Sequence, residues 1–482
     1  MPGGSRYSFD AFELDSQARR LTRDGEPIAL PERHFDVLLQ LVSNPGAVLS
    51  KDALVEAVWQ DVAVTDNSLE QAISALRRSL GAQGYIETVP RRGYRFTAPV
   101  TRAVARESDA ALDELLAPHR AWIEGRAAIE TLEREQMVRA RAAFERVVSG
   151  APDQPVGHIG LANACVLRFE TTRADSTPDK DALAHAAHHA REACRLDPHS
   201  AEAWATLGFV LDRTGNHIDA VAATRRAVTL EPDNWRHHFR HAFVTWGEER
   251  LRAARRTLAL FPGFPLAHWL AATVLVARQV LDEAERELVA GASVQDGQSA
   301  HSPFSAVALH WLLGLVYLTK GDEERALAEF QRELSFEGGG HLYARECCAN
   351  TWYAIGAVHL RRGRMADADA AFQQSLTRVP SHLLASIGLR AIGAALPPAT
   401  GAPSNRSPGV AAVANVDLAM CQAASLVLSG NSTEAARVVD NALAGAAPGN
   451  AGWVLSVEPL LNVAAEPAAW ASALARLRSR AA

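Results

Sequence analysis

The chain has 482 residues, 48% of them hydrophobic and 22% charged, which is the composition of a globular protein with room for two to four domains at roughly 100 to 200 residues each. A net charge of −6 excludes any general attraction to nucleic acid or anionic membrane, so a nucleic-acid contact has to be local. Five scattered cysteines (Cys165, Cys194, Cys347, Cys348 and Cys421) have no paired CxxC spacing for zinc or redox chemistry. With no apolar leader and no run of about 18 apolar residues, a cytoplasmic location is expected.

In chain order, "YSFDAFELD" opens with short strands suggested by Tyr7, Phe9, Phe12 and Leu14. "LPERHFDVLLQLVSNPG" places Phe35, Leu38, Leu39 and Val42 at helical spacing and stops at Asn44-Pro45-Gly46. "SKDALVEAVW" predicts a second helix with Ser50 as N-cap, and "TDNSLEQAISALRRSLG" a third that runs from a Thr/Asp cap to Gly81. "YIETVPRRGYRFTAPV" then alternates as a hairpin with Arg91 and Arg92 at its tip and Gly93 allowing the turn. Strand, three helices and a closing hairpin make residues 1–100 a winged helix-turn-helix.

Residues 101–118 are polar and Ala-rich and read as a linker, partly helical. Beyond them a 34-residue repeat is clearest from Ala201 to Asn234, where Trp204, Leu207, Gly208, Ala220, Ala227 and Pro232 fall at tetratricopeptide (TPR) spacings. Gly314, Ala326 and Phe330 repeat those offsets, as do Trp352, Gly356, Ala368, Phe372 and Pro380; weaker copies run through Ala140 and Phe144, Ala186 and Ala190, and Ala272 and Ala284. Small residues at the eighth and twentieth positions let paired helices approach closely. Six to eight such pairs are expected over 119–395. The four prolines within 396–410 mark a second linker, leaving 411–482 as a separate or loosely attached helical cap. The fold class expected is mainly α: a winged helix of three helices, a small β-sheet and a wing hairpin, followed by an α-solenoid of TPR-like pairs.

The ordered combination of "SKDALVEAVW", "TDNSLEQAISALRRSLG" and "IETVPRRGYRF" resembles the OmpR/PhoB-type winged-helix DNA-binding domain, here joined to a TPR region. At 100° per residue Leu69, Ile73, Leu76 and Leu80 form the packed stripe of the third helix. Its opposite face carries Asn67, Gln71, Ser74 and Arg78, with Ser68 alongside. The resemblance implies that this helix enters the major groove and that these positions touch DNA, with Arg77 on its flank suited to a phosphate or an internal ion pair. Arg91 and Arg92 are expected in or beside the minor groove, Tyr94 joins the DNA-facing set, and Lys51 and Thr65 are phosphate contacts at helix starts. Across residues 1–100, 11 Lys+Arg against 13 Asp+Glu gives −2, yet Arg77 to Phe96 holds five arginines against Glu87 alone, a local 5 − 1 = +4.

The histidines of "HAAHHA" and "HHFRH" include i, i+3 and i, i+4 pairs, but no partner completes a metal site, and exposure on a solenoid is the plainer reading. Trp204, Trp269, Trp311 and Trp352 fit core positions of the helical pairs. No nucleophile elbow, P-loop or dinucleotide fingerprint occurs, so neither an enzyme nor a cofactor is expected. The expectation is a bacterial-type transcriptional regulator with duplex DNA as partner, and a TPR array that binds a protein or peptide or senses a signal. RNA polymerase and a second copy of the chain are further candidates, and no membrane is involved. With no receiver domain ahead of the winged helix, the input is expected through the repeats. The rival reading is a TPR scaffold whose winged helix mediates protein contacts.

Overall fold

The computed structural model describes residues 6–59, 66–81, 84–103, 107–298, 303–393 and 408–482, and it divides into two units, 1–116 and 117–482. The first unit opens with a meander of short strands: β1 (Arg6–Phe9), β2 (Phe12–Asp15), β3 (Arg20–Arg23) and β4 (Glu26–Ile28). Asp24 and Gly25, both at positive φ, make the β3–β4 turn that Asp-Gly favours, a strand pair that the sequence reading lacked. Helix α1 (Glu32–Ser43), strand β5 (Val48–Leu49) and helices α2 (Lys51–Val58) and α3 (Asp66–Leu80) come next, then β6 (Ile86–Val89), β7 (Gly93–Phe96) and β8 (Thr101–Ala103). One sheet has the order β4-β3-β2-β1-β8 and the other β5-β7-β6.

The strand β8 corrects the first boundary. Thr101 to Ala103 pairs antiparallel with Ser8 to Arg6, so the expected linker contributes the edge strand of the first sheet. Helix α4 (Glu107–Glu130) then takes up the rest of it, with Pro118 inside. The core of this unit is an aromatic cluster. Phe9 stacks on Phe12 at 5.2 Å and meets Phe96 edge-on at 4.9 Å, with Tyr85 against both Phe9 and Phe12, so the first hairpin and the wing share one buried nucleus.

In the second unit α5 (Gln136–Gly150), α6 (Pro155–Thr172), α7 (Lys180–Leu196), α8 (Ala201–Arg213), α9 (His217–Leu230), α10 (Trp235–Val244) and α11 (Gly247–Leu260) succeed one another. They continue as α12 (Pro265–Ala277), α13 (Leu281–Gly297), α14 (Leu309–Thr319), α15 (Glu323–Ser335), α16 (Ala344–Arg361), α17 (Met365–Arg378) and α18 (Leu383–Ala391). Consecutive helices pack as antiparallel pairs because the small positions leave room. A Cβ on Gly208 would lie 2.4 Å from Thr224, one on Gly314 2.4 Å from Phe330, and one on Gly356 2.6 Å from Phe372.

The array curls back on itself. The end of α4 and the loop after it donate and accept backbone hydrogen bonds with segments far along the chain: Phe304 N–H to Glu130 O at 2.8 Å, Leu342 N–H to Leu132 O at 2.8 Å and Arg134 N–H to Gly340 O at 3.0 Å. Arg173 and Glu346 add an ion pair at 2.6 Å across the same seam.

Residues 394–407 of the proline-rich segment lie outside the described residues, but residues 408–482 are no loose cap. Helices α19 (Pro408–Leu428), α20 (Ser432–Gly445) and α21 (Pro467–Arg480) share a core with α16, α17 and α18, in which Trp470 and Phe372 are fully buried. The segment between α20 and α21 lies against the repeats: Trp453 meets Trp269 and Trp311 edge-on, Ser456 donates to Val276 O at 2.8 Å, and Glu458 accepts from the Tyr353 hydroxyl. Ala-rich helices expose too little apolar surface to be stable alone and gain it by packing on the solenoid. Among the described residues no helix is long and apolar enough to cross a membrane.

His185 and His188 are exposed as expected, but the second histidine group is not. His237, His238 and His241 are buried, and each is held by hydrogen bonds within the array: His237 to Glu231, His238 to Pro232 O, and His241 between Thr224 and Glu249.

Candidate nucleic-acid interface

Helix α2 begins where Ser50 Oγ accepts from Ala53 N–H, as the cap pattern predicts. In α3 the stripe Leu69, Ile73, Leu76 and Leu80 is buried to between 0 and 3% exposure and packs with Leu38 and Leu41 in one core, which turns Gln71, Ser74 and Arg78 outward. Ser68 is partly exposed. Thr65 and the Asn67 side chain lie outside the described residues. The wing hairpin closes on Arg91, in the left-handed region at φ 62°, with Arg92 N–H donating to Val89 O at 3.0 Å. That turn leaves both guanidinium groups exposed.

Gly93 has a stricter reason than the turn. Its φ is +131°, and a Cβ there would sit 1.9 Å from Leu49 O, because β7 passes against β5 at this point. The wing is therefore pinned to the start of α2 by a backbone approach that only glycine permits.

Three expected DNA contacts are buried or engaged inside the domain, Arg77 by the internal alternative already open for it. Tyr94 is 4% exposed and belongs to the core, since both Tyr94 and Phe96 of β7 point inward while Arg95 between them does not. Arg77 is an internal tie: its Nε and Nη2 donate to Ile86 O at 3.0 and 2.8 Å, and Nη2 donates to Thr88 Oγ1 at 2.7 Å, bolting α3 to the wing strand β6. Lys51 pairs with Glu70 at 2.6 Å, linking α2 to α3. Arg95 likewise pairs with Glu87, its cross-strand neighbour in β6, at 2.6 Å. These are partners across a strand or helix boundary, which spacing within one element cannot reveal.

The local surplus is thus carried by Arg78, Arg91 and Arg92, which are exposed and engage no partner among the described residues. Exposed guanidinium groups with no counter-ion keep their full set of donors for an outside acceptor. Gln71 and Ser74 add neutral donors and acceptors on the same face as Arg78.

This geometry defines a winged-helix domain, and comparison with known proteins gives its class. Residues 25–96 match the family model "Transcriptional regulatory protein, C terminal", and residues 201–234 match a tetratricopeptide repeat. The N-terminal region is an OmpR/PhoB-type winged-helix domain of the kind found in transcriptional regulators, with a TPR region downstream. Among curated proteins the chain is 38% identical over 86 residues to the transcriptional activator CadC of Escherichia coli, covering 17% of each chain. It is 37% identical over 98 residues to the transcriptional regulator HilA of Salmonella typhimurium, covering 20% of this chain and 18% of HilA. The matching segment therefore spans less than a fifth of either relative. Among solved structures, the DNA-binding domain of Klebsiella pneumoniae RstA in complex with the RstA box is 32% identical, covering 19% of this chain and 96% of that one, with a TM-score of 0.18.

Proposed function

We propose that the N-terminal unit reads duplex DNA, with α3 in the major groove and the wing at the flanking minor groove, and that the chain is a non-enzymatic cytoplasmic transcriptional regulator. The observation that supports it most directly is the sorting of the arginines: Arg77 and Arg95 hold the domain together, while Arg78 on α3 and Arg91 and Arg92 on the wing stay exposed and uncommitted. In this reading Asn67, Gln71, Ser74 and Arg78, with Ser68 alongside, reach base edges or phosphates, Thr65 contacts a phosphate, and Arg91 and Arg92 contact phosphates or the minor groove. The overall negative charge makes binding depend on those few residues rather than on a long-range field. The TPR region is the input side of the molecule, binding a protein, a peptide or a signal molecule; RNA polymerase and a second copy of the chain are candidate partners of the assembled regulator.

The test is a genome-wide DNA pull-down with the full chain beside an Arg78→Ala, Arg91→Ala, Arg92→Ala variant. Discrete enriched sites that vanish in the variant are the expected result. Equal enrichment for both proteins, or none for either, overturns the proposal and favours the reading in which the winged helix contacts protein.

A further inference from the structure

The curled repeats enclose a cavity of about 330 Å³ within the second unit, on the inner side of α4, α6, α8, α10 and α12. Its wall is aromatic: Trp122, Phe209, Trp235, Phe239, Trp269 and Tyr343 all contribute. Trp269 packs against the repeat core and also lines this cavity. The chain's own Trp453 packs on Trp269 and Trp311. Behind the cavity the seam from Glu130 to Phe304 and from Leu132 to Leu342 closes the ring.

Arg126 and Arg236 share Glu130, with Glu202 also beside Arg126; Arg173 pairs with Glu346 and Glu170; and Arg213 pairs with Glu170 and Asp212. Arg240 differs from these four: among the described residues no carboxylate lies within ion-pair distance of it, and Glu202 acts on it only from farther off. Its Nη2 donates to Asn163 Oδ1 at 2.8 Å, its guanidinium lies 4.4 Å from the Phe209 ring centre, and its Nη1 is buried without an acceptor among the described residues. Burial lowers its pKa from the usual 12.5 to about 10. Asn163 Oδ1 accepts from Arg240 Nη2, and its amide nitrogen donates to Ile159 O and Thr206 Oγ1, which fixes the orientation of the amide beside Arg240. A second buried donor, Trp269 Nε1–H, is also without an acceptor among the described residues. Removing a charge from water is unfavourable unless an opposite charge and hydrogen bonds replace the solvent. His237 Nδ1 in the same wall is also buried without a partner among the described residues; the two donors, Arg240 Nη1 and Trp269 Nε1, call for acceptors, and Arg240 for an anion.

We infer that this cavity is a binding site for a small amphipathic carboxylate, an aromatic or medium-chain monoacid, whose apolar body lies among the tryptophans and phenylalanines and whose carboxylate pairs with Arg240. The size favours a small molecule over a peptide: 330 Å³ is at the lower end of the range for small-ligand pockets. A buried guanidinium favours carboxylate over a neutral amide of the same shape, because only the anion replaces the missing counter-charge. The inference does not depend on DNA binding and can fail or hold apart from it.

The experiment titrates the full chain with 3-phenylpropionate, indole-3-acetate and octanoate, each beside its carboxamide and beside a capped pentapeptide with a free C-terminus, and reads calorimetric heat and tryptophan fluorescence. At least one small acid is expected to bind one-to-one, with its amide weaker by about ten-fold or more. In Arg240→Met the acid should fall to the affinity of its amide while an apolar contribution remains. If that variant does not fold, the acid against amide comparison on the unaltered chain decides alone. Binding of none of the acids at millimolar concentration, equal binding of acids and amides, or binding of the peptide alone would each overturn the assignment.

Discussion

Arg77 and Arg78 are neighbours in sequence with opposite assignments, and separating them tests the account of the first unit most sharply. Replacing Arg77 by Met removes three donor interactions to Ile86 O and Thr88 Oγ1. Each charged hydrogen bond of this kind contributes on the order of 1 kcal/mol net, and the site is partly solvated, so the total loss is about 1 to 2 kcal/mol. For a domain of this size that lowers the melting temperature of the N-terminal unit by roughly 5 to 10 °C. Arg78→Met removes no internal bond, so its melting temperature should match the unaltered protein. The order reverses for DNA. Loss of a guanidinium contact to the duplex weakens binding by about 1 to 3 kcal/mol, which Arg78→Met should show and Arg77→Met should not. Calorimetry of the full chain and anisotropy titrations of a labelled duplex provide both readouts. A stable Arg77→Met with weakened duplex binding would refute the assignment of Arg77 as a structural tie.

Other contacts carry their own tests. Gly93→Ala places a methyl group against Leu49 O at positive φ and should destabilise the first unit by about 3 kcal/mol or more; an unchanged urea midpoint would show that β5 and β7 separate freely. Phe372 is fully buried between Gly356 and Gly388, so Phe372→Ala should cost about 3 to 5 kcal/mol, measured by denaturant unfolding of the second unit. His382 caps α18 by accepting from Ala385 N–H through Nδ1, and burial lowers its pKa from 6.5 to about 4. The unfolded chain takes up that proton below pH 6.5 while the folded chain does not until about pH 4, so stability should fall as pH drops through this window. His382→Asn keeps a capping oxygen and should flatten that part of the profile; identical pH dependence of both proteins would exclude His382 as the source.

Much of the architecture was legible because it is written in local periods. The buried stripe Leu69, Ile73, Leu76 and Leu80 repeats with the helix turn, and the small residues Gly208, Gly314 and Gly356 recur where two helices must approach, so one face and one spacing suffice to name the element. The Ser50 cap was readable for the same reason, as its bond spans three residues. Strands β3 and β4 carried a signal in Asp24-Gly25, but at three to four residues each they are too short for alternation to stand out.

Tertiary structure decided what each charge and ring does. Sequence placed Arg77 beside Arg78, but only the approach of α3 to β6 commits Arg77 to Ile86 and leaves Arg78 outside. Tyr94 reads as half of an alternating hairpin, and its burial depends on the β5–β7 pairing that turns it inward. In the second unit the repeats are visible one by one, whereas the ring closure from residue 130 to residue 342 and the packing of Trp453 on Trp269 depend on the summed rotation of many pairs. Local propensity fixes which face of a helix is apolar; which distant face meets it, and which arginine is left without a partner, is settled only when all the pairs have stacked.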